Sequence, residues 1–143
     1  MRFFAYEKIE ARRRYEGVQF YISGADMPGE GELKIFDIIN LRSTAGTEES
    51  FVIVGGDADL VLQGLALPKV KNLFLYVSGR GGEGTMISLW EVVRELERAF
   101  PGQSEYLRAD LIFLLVLNGN DYLPKVRGIS FNRCFQQYKH LKA

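Results

Sequence analysis

The amino-acid sequence predicts an α/β domain whose parallel sheet is flanked by helices in three layers. Three observations predict it. The run Phe51-Val52-Ile53-Val54 is continuously apolar and rich in β-branched residues, as expected of a strand buried on both faces of a parallel sheet. Strand-like runs alternate with segments of helical apolar spacing, which is the pattern of crossover-connected strands. The chain has 143 residues, 47% hydrophobic and 13% aromatic, about one domain in size and able to build a core. It has one cysteine, Cys134, so no internal disulfide or cysteine-based zinc site contributes.

The elements follow in order. Residues 2–16 are predicted as a helix, and Val18-Gln19-Phe20-Tyr21-Ile22-Ser23 as a strand ending at Gly24. Met27-Pro28-Gly29-Glu30-Gly31-Glu32 is a glycine-punctuated turn that opens a helix with apolar positions Leu33, Phe36, Ile39 and Leu41. A polar loop, 42–50, leads to the strand 51–54, which runs into Gly55-Gly56-Asp57-Ala58-Asp59 and a helix, 60–67, stopped by Pro68. Leu73-Phe74-Leu75-Tyr76-Val77 is a further strand, and Gly79 to Gly84 a glycine-rich loop.

Ser88, with Glu91 three residues on, forms a capping box for a helix whose stripe is Leu89, Val92, Val93, Leu96 and Phe100. Leu107 to Leu117 is apolar nearly all round and is read as a buried helix, with a strand as the alternative. After Asn118-Gly119-Asn120-Asp121 and a loop with Pro124 and Gly128, a last helix places Phe131, Cys134, Phe135 and Tyr138 on one face. Cys134 is thus expected as a small buried residue, and His140 in the last turn as exposed or favoured by the helix dipole.

Composition and motif context bear on several function classes. Lys and Arg number 18, as do Asp and Glu, so the formal net charge is zero and the basic excess usual in a nucleic-acid binder is absent. The longest apolar run, Leu111 to Leu117, is too short to span a bilayer, and no signal-peptide pattern opens the chain. These features predict an intracellular protein with no membrane partner, in the cytoplasm, the nucleus or an organelle. Gly79-Arg80-Gly81-Gly82-Glu83-Gly84 satisfies G-x-G-x-x-G, but its last glycine does not open a helix and no acid ends a strand about 20 residues on, which argues against a dinucleotide site. With one histidine, near the terminus, no Ser-His-Asp or Cys-His set is available.

The acids carry the chemical signal. Glu30 and Glu32 lie in a turn at a helix start, Asp57 and Asp59 just past the most buried strand, and Asp121 after the most apolar segment. In open parallel sheets ligands bind outside the carboxyl ends of strands, where Asp57 and Asp59 are expected. Each acid also has a plain local role: first-turn acids complement a helix dipole, and turn aspartates cap helices or form Asx turns. Gathered together, carboxylates repel unless a cation neutralises them, and oxygen-only ligands favour Mg²⁺ or Mn²⁺. Two such ions about 4 Å apart promote phosphodiester cleavage by activating water and stabilising the leaving oxygen.

These segments resemble the XRN family of 5′→3′ exoribonucleases. Pro28-Gly29-Glu30-Gly31-Glu32-Leu33-Lys34-Ile35 resembles the family's signature ahead of a helix, and Gly56-Asp57-Ala58-Asp59-Leu60 its Asp-Ala-Asp motif at a strand end. Asn118-Gly119-Asn120-Asp121-Tyr122-Leu123-Pro124 is similar to its third acidic motif. The helix from Ser88 to Phe100 and the acid Asp110 also stand where the family has a helix and an acid. The resemblance covers residues 18–125 in the family's order.

It implies a core of the PIN-like, flap-endonuclease-like superfamily. Residues 1–143 would be one such domain or part of one, with acidic motifs at 28–35, 55–60 and 118–124 and a helix–turn–helix element at about 107–141. It implies Glu30, Glu32, Asp57, Asp59 and Asp121 as catalytic, metal-binding carboxylates for two Mg²⁺ or Mn²⁺ ions. Lys34, Lys125, Arg127 and Gly128 become nucleic-acid contacts, and the implied partner is single-stranded RNA with a 5′ end.

Lys125-Val126-Arg127-Gly128-Ile129-Ser130 looks more like a flap endonuclease, which makes DNA the alternative substrate. The family's core also begins with earlier acids and a basic pocket for the 5′-phosphate, which this chain does not contain. The resemblance therefore implies the carboxyl-terminal part of an incomplete core, its amino-terminal half on the same or another chain. Two other readings stand beside the exonuclease. One is a non-catalytic RNA-binding or structural module lacking the upstream acids; the other is a structure-specific flap-type DNA endonuclease.

Overall fold

The computed structural model describes residues 15–44, 48–67, 71–79, 81–102, 104–120 and 123–142, which contain five helices and three strands. In chain order these are α1 (Gly31–Thr44), β1 (Phe51–Val54), α2 (Ala58–Ala66), β2 (Leu73–Ser78), β3 (Gly84–Ser88), α3 (Leu89–Ala99), α4 (Ser104–Val116) and α5 (Phe131–Lys142). The chain divides into two units, Met1–Ile35 and Phe36–Ala143. The helix expected over residues 2–16 lies outside the described residues, apart from its last two positions, which form a turn.

In the first unit, Val18–Ser23 is not a strand. A strand needs a ladder partner for its N–H and C=O groups, and the only described sheet contains β1, β2 and β3. The segment is instead held by local contacts. Val18 N donates to Tyr15 O (3.1 Å), Met27 N to Gly24 O (3.1 Å), and the rings of Tyr15 and Phe20 meet edge to face at 5.6 Å. The turn ahead of α1 forms as expected.

In the second unit, β1 and β2 pair in parallel, Phe51 opposite Leu73 through Val54 opposite Tyr76, with α2 as the crossover. The sheet is not wholly parallel, however. β3 runs antiparallel to β2, from Phe74 opposite Ser88 to Ser78 opposite Gly84. A parallel return needs a crossover of roughly a dozen residues or more; the connection here is only the loop 79–83, closed by Gly79 N donating to Glu83 O, with Gly81 and Gly82 at positive φ. The G-x-G-x-x-G sequence is therefore a hairpin loop entering a strand, and the strand-to-helix context of a dinucleotide site is absent.

The three-layer arrangement is not seen among the described residues. One sheet face, Ile53, Leu73 and Leu75, is buried with Phe36 and Ile39 of α1, Leu60 of α2 and Leu89 of α3. The alternate residues point to the other face, where Val52 is 53%, Val54 72% and Met86 54% exposed. Among the described residues the sheet is covered on one side, giving two layers.

A second apolar cluster forms between helices: Leu65 of α2, Val93 and Leu96 of α3, Phe100, and Leu107 and Leu111 of α4. Phe131, Phe135 and Tyr138 of α5 pack against it, so the aromatic face read from the sequence is the docking face. Cys134 is half-buried rather than fully enclosed. Ser88 caps α3 as expected, accepting from Glu91 N at 3.3 Å, while the Glu91 carboxylate turns to Arg94 (2.9 Å). The segment after Leu107 is helical. α4 and α5 are joined by residues 117–130, far longer than the roughly three or four residues of a helix–turn–helix turn.

α2 lies between the two clusters. Leu60 belongs to the first, Leu65 to the second, and Val61 packs against both. Gly64 permits this closeness, because a Cβ there would stand 2.2 Å from Leu89 Cδ1 and 3.4 Å from Leu73 Cδ2. Gly64→Ala gains up to about 1 kcal/mol of helix propensity, but overpacking against a Leu89 that is 2% exposed costs roughly 1–3 kcal/mol. Urea unfolding should show a net loss of stability with an unchanged m value.

Candidate metal and nucleic-acid site

Asp57 and Asp59 stand where the sequence places them, at the carboxyl end of β1. The ladder continues one step past the strand, with Gly55 N donating to Tyr76 O (3.1 Å), and the chain then turns into α2. Asp57 is the N-cap of α2, in extended backbone at φ −79, and its Oδ1 accepts from Asp59 N at 3.0 Å. The local role is thus realised. It does not exhaust the group, since an ionised carboxylate has about four lone-pair sites. Asp57 is exposed and Asp59 half-buried, so this pair faces solvent at its edge.

Glu30 and Glu32 lie in the first unit, at the entrance of α1. Glu30 is exposed and Glu32 half-buried, in the helix's first turn. Glu30 O accepts from Lys34 N (3.2 Å), and Lys34 Nζ donates to Met27 O at 2.8 Å, tying the α1 entrance to the preceding turn. One of the three ammonium donors of Lys34 is therefore engaged within the turn.

The third motif is a closed loop. Asn118 N donates to Leu115 O and Gly119 N to Val116 O, which ends α4. Asn120 N then donates to Leu123 O, and Asn120 Oδ1 accepts from Leu123 N at 2.8 Å. Val126 N returns to Leu117 O (3.2 Å), bringing the chain back onto the end of α4. Gly119 sits at φ +85, where a Cβ would lie 2.7 Å from Lys125 N and 2.8 Å from Lys125 Cα. Lys125, Arg127 and Gly128 are exposed, and Gly128 at φ +77 is the third residue of a turn closed by Ile129 N to Val126 O. Asp121 lies outside the described residues.

The structure thus pairs Asp57 with Asp59, holds Glu30 near Glu32 in a separate unit, and describes no group of three or more His, Cys, Asp or Glu able to hold a metal among the described residues. Asn120 is a residue the sequence reading did not single out; its place inside the N-G-N turn was the available signal. Asp110 has a structural role. Its Oδ2 accepts from Tyr138 Oη at 2.8 Å and faces Lys142 Nζ at 3.4 Å, fastening α5 to α4. No helix among the described residues is long and apolar enough to cross a membrane.

Comparison with known proteins supplies the context. The family model for the XRN 5′-3′ exonuclease N-terminus matches residues 1–76, a span containing both the Glu30–Glu32 and Asp57–Asp59 motifs. The chain is similar to 5′-3′ exoribonuclease 2 of Yarrowia lipolytica, at 30% identity over 98% of this chain and 16% of that protein. It is similar to 5′-3′ exoribonuclease 1 of Saccharomyces cerevisiae, at 25% identity over 93% of this chain and 10% of that protein. The human 5′-3′ exoribonuclease 1 is 27% identical over 92% of this chain and 9% of its own length. The chain therefore spans a small part of these curated relatives. No solved structure matches it significantly.

Two predictions follow from the loop and from the fastening of α5. Gly119→Ala forces a side chain into positive φ and against the Lys125 backbone, at a cost of roughly 1–3 kcal/mol; hydrogen exchange should show lost protection at Val126 N–H. The Tyr138 hydroxyl is pushed up to about 12, first by burial and then by its hydrogen bond to Asp110 and that carboxylate's charge. The unfolded chain releases this proton near pH 10, before the folded one does, so the unfolded state binds fewer protons in that window. Stability should fall between pH 10 and 12, and Tyr138→Phe should flatten that part of the stability–pH curve.

Proposed function

We propose, starting from the fact that this chain belongs to the XRN 5′-3′ exonuclease family, that it is part of the nuclease core of a divalent-metal-dependent 5′→3′ exoribonuclease. The observation that carries the reading is the Asp57–Asp59 pair, set at the carboxyl end of a parallel strand and fixed at the head of α2. It lies within the residues matched by the family model, as do Glu30 and Glu32.

The donors fit hard cations in kind. All are carboxylate oxygens, and Asp57 keeps acceptor capacity while it caps α2. Glu30, Glu32, Asp57, Asp59 and Asp121 would hold Mg²⁺ or Mn²⁺, two ions in all. When bound, such a pair supplies electrostatic stabilisation to the attacking and leaving oxygens of a phosphodiester displacement. The chain's own groups do the positioning. Lys125 and Arg127, exposed on either side of the pinned Val126, take phosphates of a single RNA strand, and Gly128 lets the backbone approach it closely. Lys34 adds its charge from the turn that it closes.

We further propose that the protein acts inside the cell, in the cytoplasm or nucleus. We place the chain in the carboxyl-terminal part of the core, with further acids and the 5′-phosphate pocket supplied by other residues of the same or another chain.

The test uses 5′-monophosphorylated RNA and the longest native form of the protein. Asp59→Ala should abolish Mg²⁺-dependent degradation with the fold intact by circular dichroism; unchanged degradation overturns the assignment. Asp57→Asn separates capping from ligation. It keeps an N-cap side chain and should stay within a few tenths of a kcal/mol of wild type, whereas Asp57→Ala should lose about 1 kcal/mol. Both should lose the thermal stabilisation that Mn²⁺ gives the wild type, about 2.7 kcal/mol at a hundredfold excess over Kd. RNA binding with no Mn²⁺ effect would identify a non-catalytic module instead. Preference for flap DNA over the RNA would identify a structure-specific endonuclease.

A further inference from the structure

From Tyr122 onward the chain has no Asp or Glu, yet it carries Lys125, Arg127, Arg133, Lys139 and Lys142 with His140. In a chain of zero formal net charge, this stretch is therefore a basic segment with no acid to offset it. α5 sorts these residues by face. Phe131, Phe135 and Tyr138 pack inward, and Lys142 is drawn to Asp110. Arg133, Gln136, Gln137 and His140 are exposed at i, i+3, i+4 and i+7, a line roughly 10 Å long, with exposed Asn132 and Lys139 along its flank.

A helix face that serves only to be solvated usually interleaves acids with bases. α3 does so: Arg94 pairs with Glu91 and Arg98 with Glu95. α5 does not, and among the described residues no carboxylate pairs with Arg133, Lys139 or His140. The helix is also fastened to its neighbours on its inner side. Tyr138 bonds to Asp110 on α4, and the rings of Phe100 and Tyr138 meet at 5.3 Å. Lys139 lies along its flank, its Nζ 5.1 Å over the Phe135 ring. Uncompensated cations and amides on a fixed, exposed face complement a polyanion rather than a protein surface.

The geometry points to the outer face of α5 as a second binding surface for single-stranded RNA, contacting phosphates beyond those at Lys125 and Arg127. Arg133 and Lys139 provide the charge, and Asn132, Gln136 and Gln137 provide neutral donors to phosphate or sugar oxygens. The assignment rests on the nuclease reading for the identity of the polyanion.

Binding of a fluorescein-labelled single-stranded RNA to the full chain, in the Asp59→Ala background, tests it by anisotropy across a salt series. Arg133→Gln/Lys139→Gln should weaken binding roughly tenfold and lower the steepness of log K against log salt by about 1 to 1.5. Arg94→Gln/Arg98→Gln removes the same charge from α3 and should change neither by more than about twofold. Unaltered binding in the α5 variant, or an equal loss in the α3 variant, overturns the proposal. Cleavage lost in Asp59→Ala with binding unaltered in the α5 variant would reject this surface alone. Cleavage retained in Asp59→Ala with binding weakened only by the α5 variant would reject the nuclease reading alone. The variants alter exposed side chains, so their unfolding midpoints should match their parents'.

Discussion

The packing of α2 between two apolar clusters is the constraint on which the second unit depends. Leu60 binds it to the sheet and Leu65, fully buried, to the helical layer, while Val61 touches both. Burying each such side chain contributes about 1.5–3 kcal/mol. The helix cannot slide toward one cluster without opening a cavity in the other. Because α2 follows β1 after only three residues, its seating also determines where Asp57 and Asp59 stand. The carboxylates are thus placed by apolar residues, from the adjacent Leu60 to Leu65 further along α2, that share none of their chemistry.

The same logic extends outward with decreasing strength. α4 contributes Leu107 and Leu111 to the helical cluster, and its carboxyl end carries the loop that returns Val126 to Leu117. α5 is attached through aromatic contacts and through Asp110, a carboxylate shared between a phenol and an ammonium. None of the α5 residues is fully buried. Its attachment is peripheral, and its exposed side is correspondingly free to differ in character from α3.

Much of this was legible in the sequence where the signal is local. Phe51–Val54 read as a strand because continuous β-branched residues have few other stable settings, and Ser88 read as a cap because capping involves residues three apart. What depended on pairing between distant segments was not legible. Val18–Ser23 has strand-like composition, but composition does not supply a ladder partner. In the sequence the glycine-rich loop ends at Gly84 and no strand is assigned to the short run 85–87 before the Ser88 cap, so the antiparallel edge is missed. At the site, the position of Asp57 and Asp59 at a strand end followed from alternating elements. Their relation to Glu30 and Glu32 lies between units and is written in no local pattern.

The Asp57 cap has a consequence for the cation that we propose its carboxylate would hold. A free aspartate side chain samples several rotamers, and a ligand must select one of them. Here the bond from Asp59 N–H has already selected it, during folding. The entropy of ordering that ligand arm belongs to the folding reaction, so it no longer weakens association. Affinity at this position is therefore tied to how firmly the first turn of α2 is formed. Under that proposal, the hydrophobic contacts of Leu60 and Leu65 become, at one remove, determinants of cation affinity.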